Sequence, residues 1–301
     1  MEIEHGFAEG EGVQLHYARA GVGPLMLFLH GFPEFWYGWR RQLPEFGRDH
    51  LALAPDQRGY NLSDKPAGKE AYRIDRMVAD VAALAGRFAT GPMVLVGHDW
   101  GGAVAWAFAI KHPELVERLI ILNAPHPVLM QRRLASDPEQ AAASQYMRRF
   151  RKPDAEAWLA ADDFAGLARF AFGGLGLSEV ELKHYRDAWA QPGALTAMLN
   201  WYRATPLRPP APDGGDGPPE LPAGQFLVDV PTLVLWGEDD AYLRPSLLED
   251  LEAFVSDLTV IRLPAAGHWL AHEAARPVND AIRAYFAKPL PPKLTMPPRP
   301  L

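Results

Sequence analysis

The chain has 301 residues, enough for one large domain or for a core carrying an inserted lid. It is 48% apolar and 22% charged, ordinary for a globular protein, and its formal net charge of −7 argues against nucleic acid or an anionic membrane as partner. With no cysteine, disulfides, thiolate metal sites and cysteine nucleophiles are excluded.

The acidic start Met1-Glu2-Ile3-Glu4-His5 lacks the apolar stretch of a signal peptide, and no apolar run approaches the roughly 20 residues of a membrane helix. A cytoplasmic protein, monomer or homodimer, is the expectation. Residues 24–29 and 51–54 read as buried strands. Between 74 and 88, Ile74, Met77, Val78, Val81, Leu84, Ala85 and Phe88 recur at helical spacing. Strand signals return at 93–96, 119–122, 231–236 and 259–263. Such runs lack alternation, which predicts a parallel sheet covered on both faces, and the helices between them imply βαβ units.

The rhythm breaks over 127–222, which holds helical patterns and no convincing strand. Ser178-Glu179-Val180-Glu181 is a capping-box signature, and Leu195, Met198, Leu199 and Tyr202 share a helix face. Residues 205–224 are dense in Pro and Gly and read as irregular. The expected organisation is an α/β core over 1–126 and 223–288, a helical cap over 127–222, and a Pro-rich tail over 289–301.

The sharpest motif is Gly97-His98-Asp99-Trp100-Gly101-Gly102, set between a buried strand and an apolar helix. It has the form of a nucleophile elbow with Asp where hydrolases usually carry Ser. An Asp capping a helix start would read the same way. As a nucleophile, a carboxylate suits displacement at a saturated carbon better than attack on an amide or ester. The product is an alkyl ester that activated water must clear. That scheme requires a histidine and an acid to orient it. Asp239 and Asp240 follow the 231–236 strand, and His268 follows the 259–263 strand. The order nucleophile, acid, histidine is that of α/β-hydrolases. The amides of Phe32, after the first apolar strand, and of Trp100 are the candidate oxyanion donors. No metal or organic cofactor is called for.

These residues resemble the epoxide hydrolase branch of the α/β-hydrolase family across most of the core. His30-Gly31-Phe32-Pro33-Glu34 with Trp36-Tyr37 and Trp39-Arg40 resembles its oxyanion loop. Asp56-Gln57-Arg58-Gly59-Tyr60 resembles its next loop, with Asn61 where Gly is usual. Trp236-Gly237-Glu238-Asp239-Asp240 resembles its acid loop and selects Asp240. Gly267-His268-Trp269 resembles its histidine loop. The resemblance implies an epoxide as small-molecule substrate and two cap tyrosines that protonate the opening oxygen. Gln145-Tyr146-Met147 and Asn200-Trp201-Tyr202-Arg203 match those segments, and Tyr185 is the rival for either role. Trp36, Trp100 and Trp269 are candidate walls of the substrate space. The nearest alternative is a haloalkane or fluoroacetate-type dehalogenase using the same Asp. Against it, Phe32 stands where the haloalkane enzymes often carry Asn, and Trp100 where the fluoroacetate enzymes carry Arg. A non-catalytic receptor on the same scaffold is the third reading.

Overall fold

The six apolar runs become six strands of one sheet. The computed structural model describes residues 1–211 and 215–290. In it, β3 (Leu25–Leu29), β4 (Leu51–Pro55), β5 (Met93–His98), β6 (Val116–Leu122), β7 (Thr232–Gly237) and β8 (Leu258–Leu263) pair in parallel. An antiparallel pair, β1 (Glu4–Glu9) and β2 (Gln14–Ala20), completes eight strands in the order β1-β2-β4-β3-β5-β6-β7-β8 among the described residues. The apolar-run pattern does not foreshadow this pair. In β1 only Ala8 is buried, and β2 carries His16. The His16 imidazole is tolerated inside because Asp56 pairs with its Nδ1 and His5 with its Nε2, while Ser63 accepts its backbone amide.

The central strands bury both faces, as their unbroken apolar runs require. Successive side chains alternate between two cores: Leu27, Leu29, Leu95, Ile121 and Val234 on one side, Met26, Phe28, Val96, Ile120 and Leu235 on the other. The second core is closed by α1 (Leu43–Phe46), α10 (Leu270–Glu273) and α11 (Ala275–Phe286). The first is covered by α2 (Ile74–Phe88), which turns Met77, Val78, Val81, Leu84 and Ala85 inward, and by α3 (Trp100–Lys111).

Between β6 and β7 no strand forms among the described residues, and the α-helices are α4 (Pro127–Ser136), α5 (Pro138–Ala143), α6 (Tyr146–Arg149), α7 (Ala155–Phe172), α8 (Glu179–Trp189) and α9 (Ala194–Ala204). Backbone angles interrupt α7 at Ala161, Asp162, Asp163 and Phe164. The Ser178 capping box opens α8, with both reciprocal bonds made. In α9, Leu195, Met198, Leu199 and Tyr202 are all buried. After α9 the described chain is irregular up to a short turn at Ala223–Gln225. The expected Pro-rich tail falls outside the described residues from 291 onward. The apolar side chains of α4, α7, α8 and α9 join the first core, so the insertion is seated on the sheet side that α2 and α3 also cover.

Candidate active site

Register explains why distant residues meet. Gly97 of β5 is level with Leu29 of β3, His98 with Leu122 of β6, Leu122 with Leu235 of β7, and Gly237 with Leu263 of β8. The residues just beyond these strand ends therefore converge at one edge of the sheet, where open α/β sheets place their ligand sites.

Asp99 makes the turn from β5 into α3 at φ +51°, ψ −120°, a conformation that costs a residue with a β-carbon about 1–3 kcal/mol. Close packing sustains it. A β-carbon on Gly97 would come within 2.5 Å of the Gly101 carbonyl oxygen, and one on Gly101 would fall on the Leu29 carbonyl. The strain aims the carboxylate away from its own helix, whose first amides it does not cap. Oδ1 accepts the Phe32 amide at 2.8 Å, and Oδ2 lies 3.7 Å from His268 Nε2. The Trp100 amide heads α3 directly after the turn and has no intrahelical acceptor.

His268 is held from its other nitrogen, with Nδ1 2.7 Å from Asp240 Oδ2. Asp240 is the partner; Asp239 is not, its backbone amide bonding Ala266 instead. Asp240 is fixed on both oxygens. Oδ1 accepts the amides of Tyr242 and Leu243 at 2.7 and 2.9 Å, and Oδ2 also accepts Asn123 Nδ2 at 2.6 Å. Exposure separates the two acids: 15% of the Asp99 side chain is accessible and none of Asp240. Burial alone would lower the His268 pKa, but the charge and hydrogen bond of Asp240, then the charges of Asp99 and Glu34, raise it to about 9. Burial would raise the Asp240 pKa, yet the pairing with His268 brings it below the usual carboxylate range.

Tyr146 and Tyr202 come to this group from α6 and α9. Their ring centroids lie 6.0 Å apart. Tyr202 also packs edge-on to Phe32 and Trp100, each at 5.2 Å. Burial, then neighbouring charge including Asp99, pushes both phenols well above their ordinary pKa. Tyr185 is elsewhere: it is fully buried and donates to Glu34 Oε1 at 2.9 Å. Of the expected walls, Trp100 and Trp269 stand at the site, Trp269 with its ring 4.8 Å from that of His268. Trp36 does not. A 3-10 turn carries it outward, where its ring meets His5 of β1 at 4.8 Å and its amide serves Asp56. Asn61 adopts φ +41°, a left-handed backbone that Asn tolerates.

Further residues support the site; Asn123 and Glu273 lie outside the motifs, while His98 and Glu34 lie within them. Asn123 also accepts the Gly237 amide, linking β6 to the acid loop. Glu273 accepts the amides of Gly267 and Trp269 and so fixes both flanks of His268. His98 Nε2 pairs with the His268 carbonyl oxygen at 2.9 Å. Glu34 is buried and pairs with His272 at 2.6 Å. Burial would raise its pKa, but His272 and then His98 bring it well below the usual range. The positions of Glu273, five residues after His268, and Asn123, at the end of a strand, were the available signals.

A carboxylate on a strained turn thus stands beside an acid-held imidazole, and the chain belongs to the α/β hydrolase fold family, whose model matches residues 24–275. Within that family it falls in the epoxide hydrolase branch. It is 36% identical to human epoxide hydrolase 4, over 91% of this chain and 76% of that one. It is 41% identical to the AB hydrolase superfamily protein YfhM of Bacillus subtilis, over 93% and 96% of the two chains. The crystal structure of Bacillus megaterium epoxide hydrolase in complex with an inhibitor superposes with a TM-score of 0.86 at 34% identity, covering 94% of this chain and 100% of that one.

Proposed function

We propose that this enzyme hydrolyses an epoxide to a vicinal diol through an alkyl ester on Asp99. The observation that carries the reading is the juxtaposition of a carboxylate 3.7 Å from an acid-held imidazole with two phenols of the helical insertion, buried Tyr202 and half-buried Tyr146. Residues 127–222 then act as a cap on a core of 1–126 and 223–288, and the small-molecule substrate binds between them. The acidic, cysteine-free chain suits a cytoplasmic enzyme. The scheme uses no metal ion or organic cofactor.

In the first step an Asp99 oxygen bonds to a ring carbon and the carbon–oxygen bond breaks. Its electron pair goes to the epoxide oxygen, which takes a proton from Tyr146 or Tyr202. The alkoxide released is far more basic than a phenol, so the transfer is downhill. In the second step His268 takes a proton from water, and the hydroxide attacks the carbonyl carbon of the ester. Negative charge develops on an oxygen beside the Phe32 and Trp100 amides. Collapse of the tetrahedral species breaks the acyl–oxygen bond, the departing alkoxide takes the proton back from His268, and the Asp99 carboxylic acid so formed passes its proton to the imidazole, restoring the resting carboxylate and imidazolium. The timing follows from electrostatics. In the resting enzyme His268 is raised to about 9 with help from Asp99. Esterification neutralises Asp99, which lowers the imidazole pKa, so the imidazolium proton passes through solvent to the phenolate left by ring opening and leaves a neutral base.

Incubating the His268→Gln variant with styrene oxide tests the scheme. Mass spectrometry is expected to find the whole mass of one substrate added to the peptide containing Asp99. Unmodified protein that still turns over free substrate slowly would contradict it. A bromoalkane run alongside distinguishes dehalogenation, because its ester carries the alkyl group without the halogen.

A further inference from the structure

Tyr242 belongs to no motif, yet it occupies a corner of the site. It lies two residues beyond Asp240 and its amide donates to Asp240 Oδ1 at 2.7 Å. Its ring stands between the two parts of the chemistry. The centroid is 5.2 Å from that of His268, edge-on at 73°, and 5.6 Å from that of Tyr146, at 80°. The phenolic hydroxyl donates to the carbonyl of Phe170. That carbonyl lies in the last turn of α7, where no helical N–H follows to claim it. Burial, then Asp240 and Asp99, pushes the Tyr242 pKa up to about 12, so the hydroxyl remains a donor at neutral pH. The backbone carbonyl of Tyr242 accepts Gln140 Nε2 of α5 at 2.9 Å. The side chain is thus anchored at both ends, by the acid loop below and by the insertion above.

The two reactive phenols divide the space over Asp99. Tyr202 adjoins Phe32 and Trp100. Tyr146 adjoins Tyr242 and Phe170. An epoxide whose oxygen faces the phenols must send the substituents of its two carbons to these two sides. On the His268 side they meet the Tyr242 ring, which its anchored hydroxyl prevents from swinging aside. We propose that Tyr242 is a specificity-determining residue: its ring closes the His268 side to all but small groups, so that the enzyme prefers epoxides with one unsubstituted carbon. The inference rests on the epoxide reading above and deepens it.

The test compares kcat/KM for 1,2-epoxyhexane and cis-2,3-epoxyhexane, equal in carbon count and different in substitution. The wild-type enzyme is expected to favour the terminal epoxide by at least tenfold. Tyr242→Ala is expected to narrow that ratio by about tenfold, and Tyr242→Phe, which keeps the ring and loses only its anchor, to narrow it less. Tyr242→Leu replaces the alanine variant if circular dichroism finds the latter unfolded. An unchanged ratio in the folded small-residue variant would overturn the proposal, as would an equal loss on both substrates, the mark of a purely structural residue. A wild-type preference for the internal epoxide would also overturn it. Hydrolysis of neither epoxide by the wild type would sink the epoxide reading itself, a result distinct from all of these.

Discussion

Tyr146 and Tyr202 are both candidate acids, and their surroundings make them unequal. Tyr202 is 2% exposed and wedged between Phe32, whose amide bonds Asp99, and Trp100, which follows it. Tyr146 is less buried and leans on Phe170 and Tyr242. Raised pKa values keep both neutral in the resting state, and the charge of nearby Asp99 contributes to that. A neutral phenol binds the epoxide oxygen weakly and the developing alkoxide strongly, which is the condition for lowering a barrier. Each single change to Phe leaves one donor in place. Tyr202→Phe and Tyr146→Phe are therefore expected to slow ring opening by about 10- to 100-fold each, and the double variant by about a thousandfold or more. Rapid-mixing measurement of tryptophan fluorescence reads the alkylation step directly. A double variant no slower than either single one would assign the proton to another group.

At the scale of elements, the elbow joins β5 to α3 only because two glycines let backbones touch. At Gly101 the obstruction to a β-carbon is the Leu29 carbonyl of β3, which cannot yield without moving the sheet. Gly101→Ala is expected to destabilise by about 3 kcal/mol or more, read as a loss of denaturation midpoint. Gly86 in α2 is the contrast. It is exposed, and a β-carbon there meets nothing within 4 Å. Gly86→Ala should stabilise by up to about 1 kcal/mol through helix propensity. The elbow was legible because its glycines, its Asp and its flanking apolar runs are contiguous. The same holds for the capping box of α8 and the buried face of α9. The β1–β2 pair was not legible, since an edge pair with a buried His16 satisfied from Asp56 leaves no apolar rhythm. Asn123 was also invisible, and Glu34 stood in the oxyanion-loop motif without its pairing being legible, because their partners Asp240 and His272 lie 117 and 238 residues away. Polar pairing across such separations follows from sheet register, which local pattern does not encode. Trp36 misled for the related reason that a motif position does not fix which way a short turn faces.

Across the whole molecule, two buried histidines set opposite limits on stability. His126 begins α4, the way into the helical insertion, and its Nε2 bonds the Phe226 carbonyl on the way out at 2.8 Å. Burial lowers its pKa to about 4. The unfolded chain, with a histidine near 6.5, binds this proton more readily, so stability declines as pH falls from about 6.5 towards 4. Asp240 and Glu34, both depressed, add a further loss at lower pH as they protonate. His268 acts in the other direction. Its folded pKa of about 9 exceeds the unfolded value, so its contribution is complete below about 6.5 and disappears as pH rises through 9. The difference corresponds to roughly 3 kcal/mol, or a Tm shift of about 5–10 °C for a chain of this size. The Tm of the wild-type protein is thus expected to peak near pH 6–7 and to fall by that amount by pH 9. In His268→Gln the alkaline decline should largely vanish while the acid limb, which belongs to His126 and the carboxylates, keeps its slope. Scanning calorimetry of both proteins from pH 5 to 9 decides it. Parallel alkaline limbs would mean that the imidazole beside Asp99 and Asp240 is not protonated in the resting fold, and the charge-timed handover from nucleophile to base would lose its foundation.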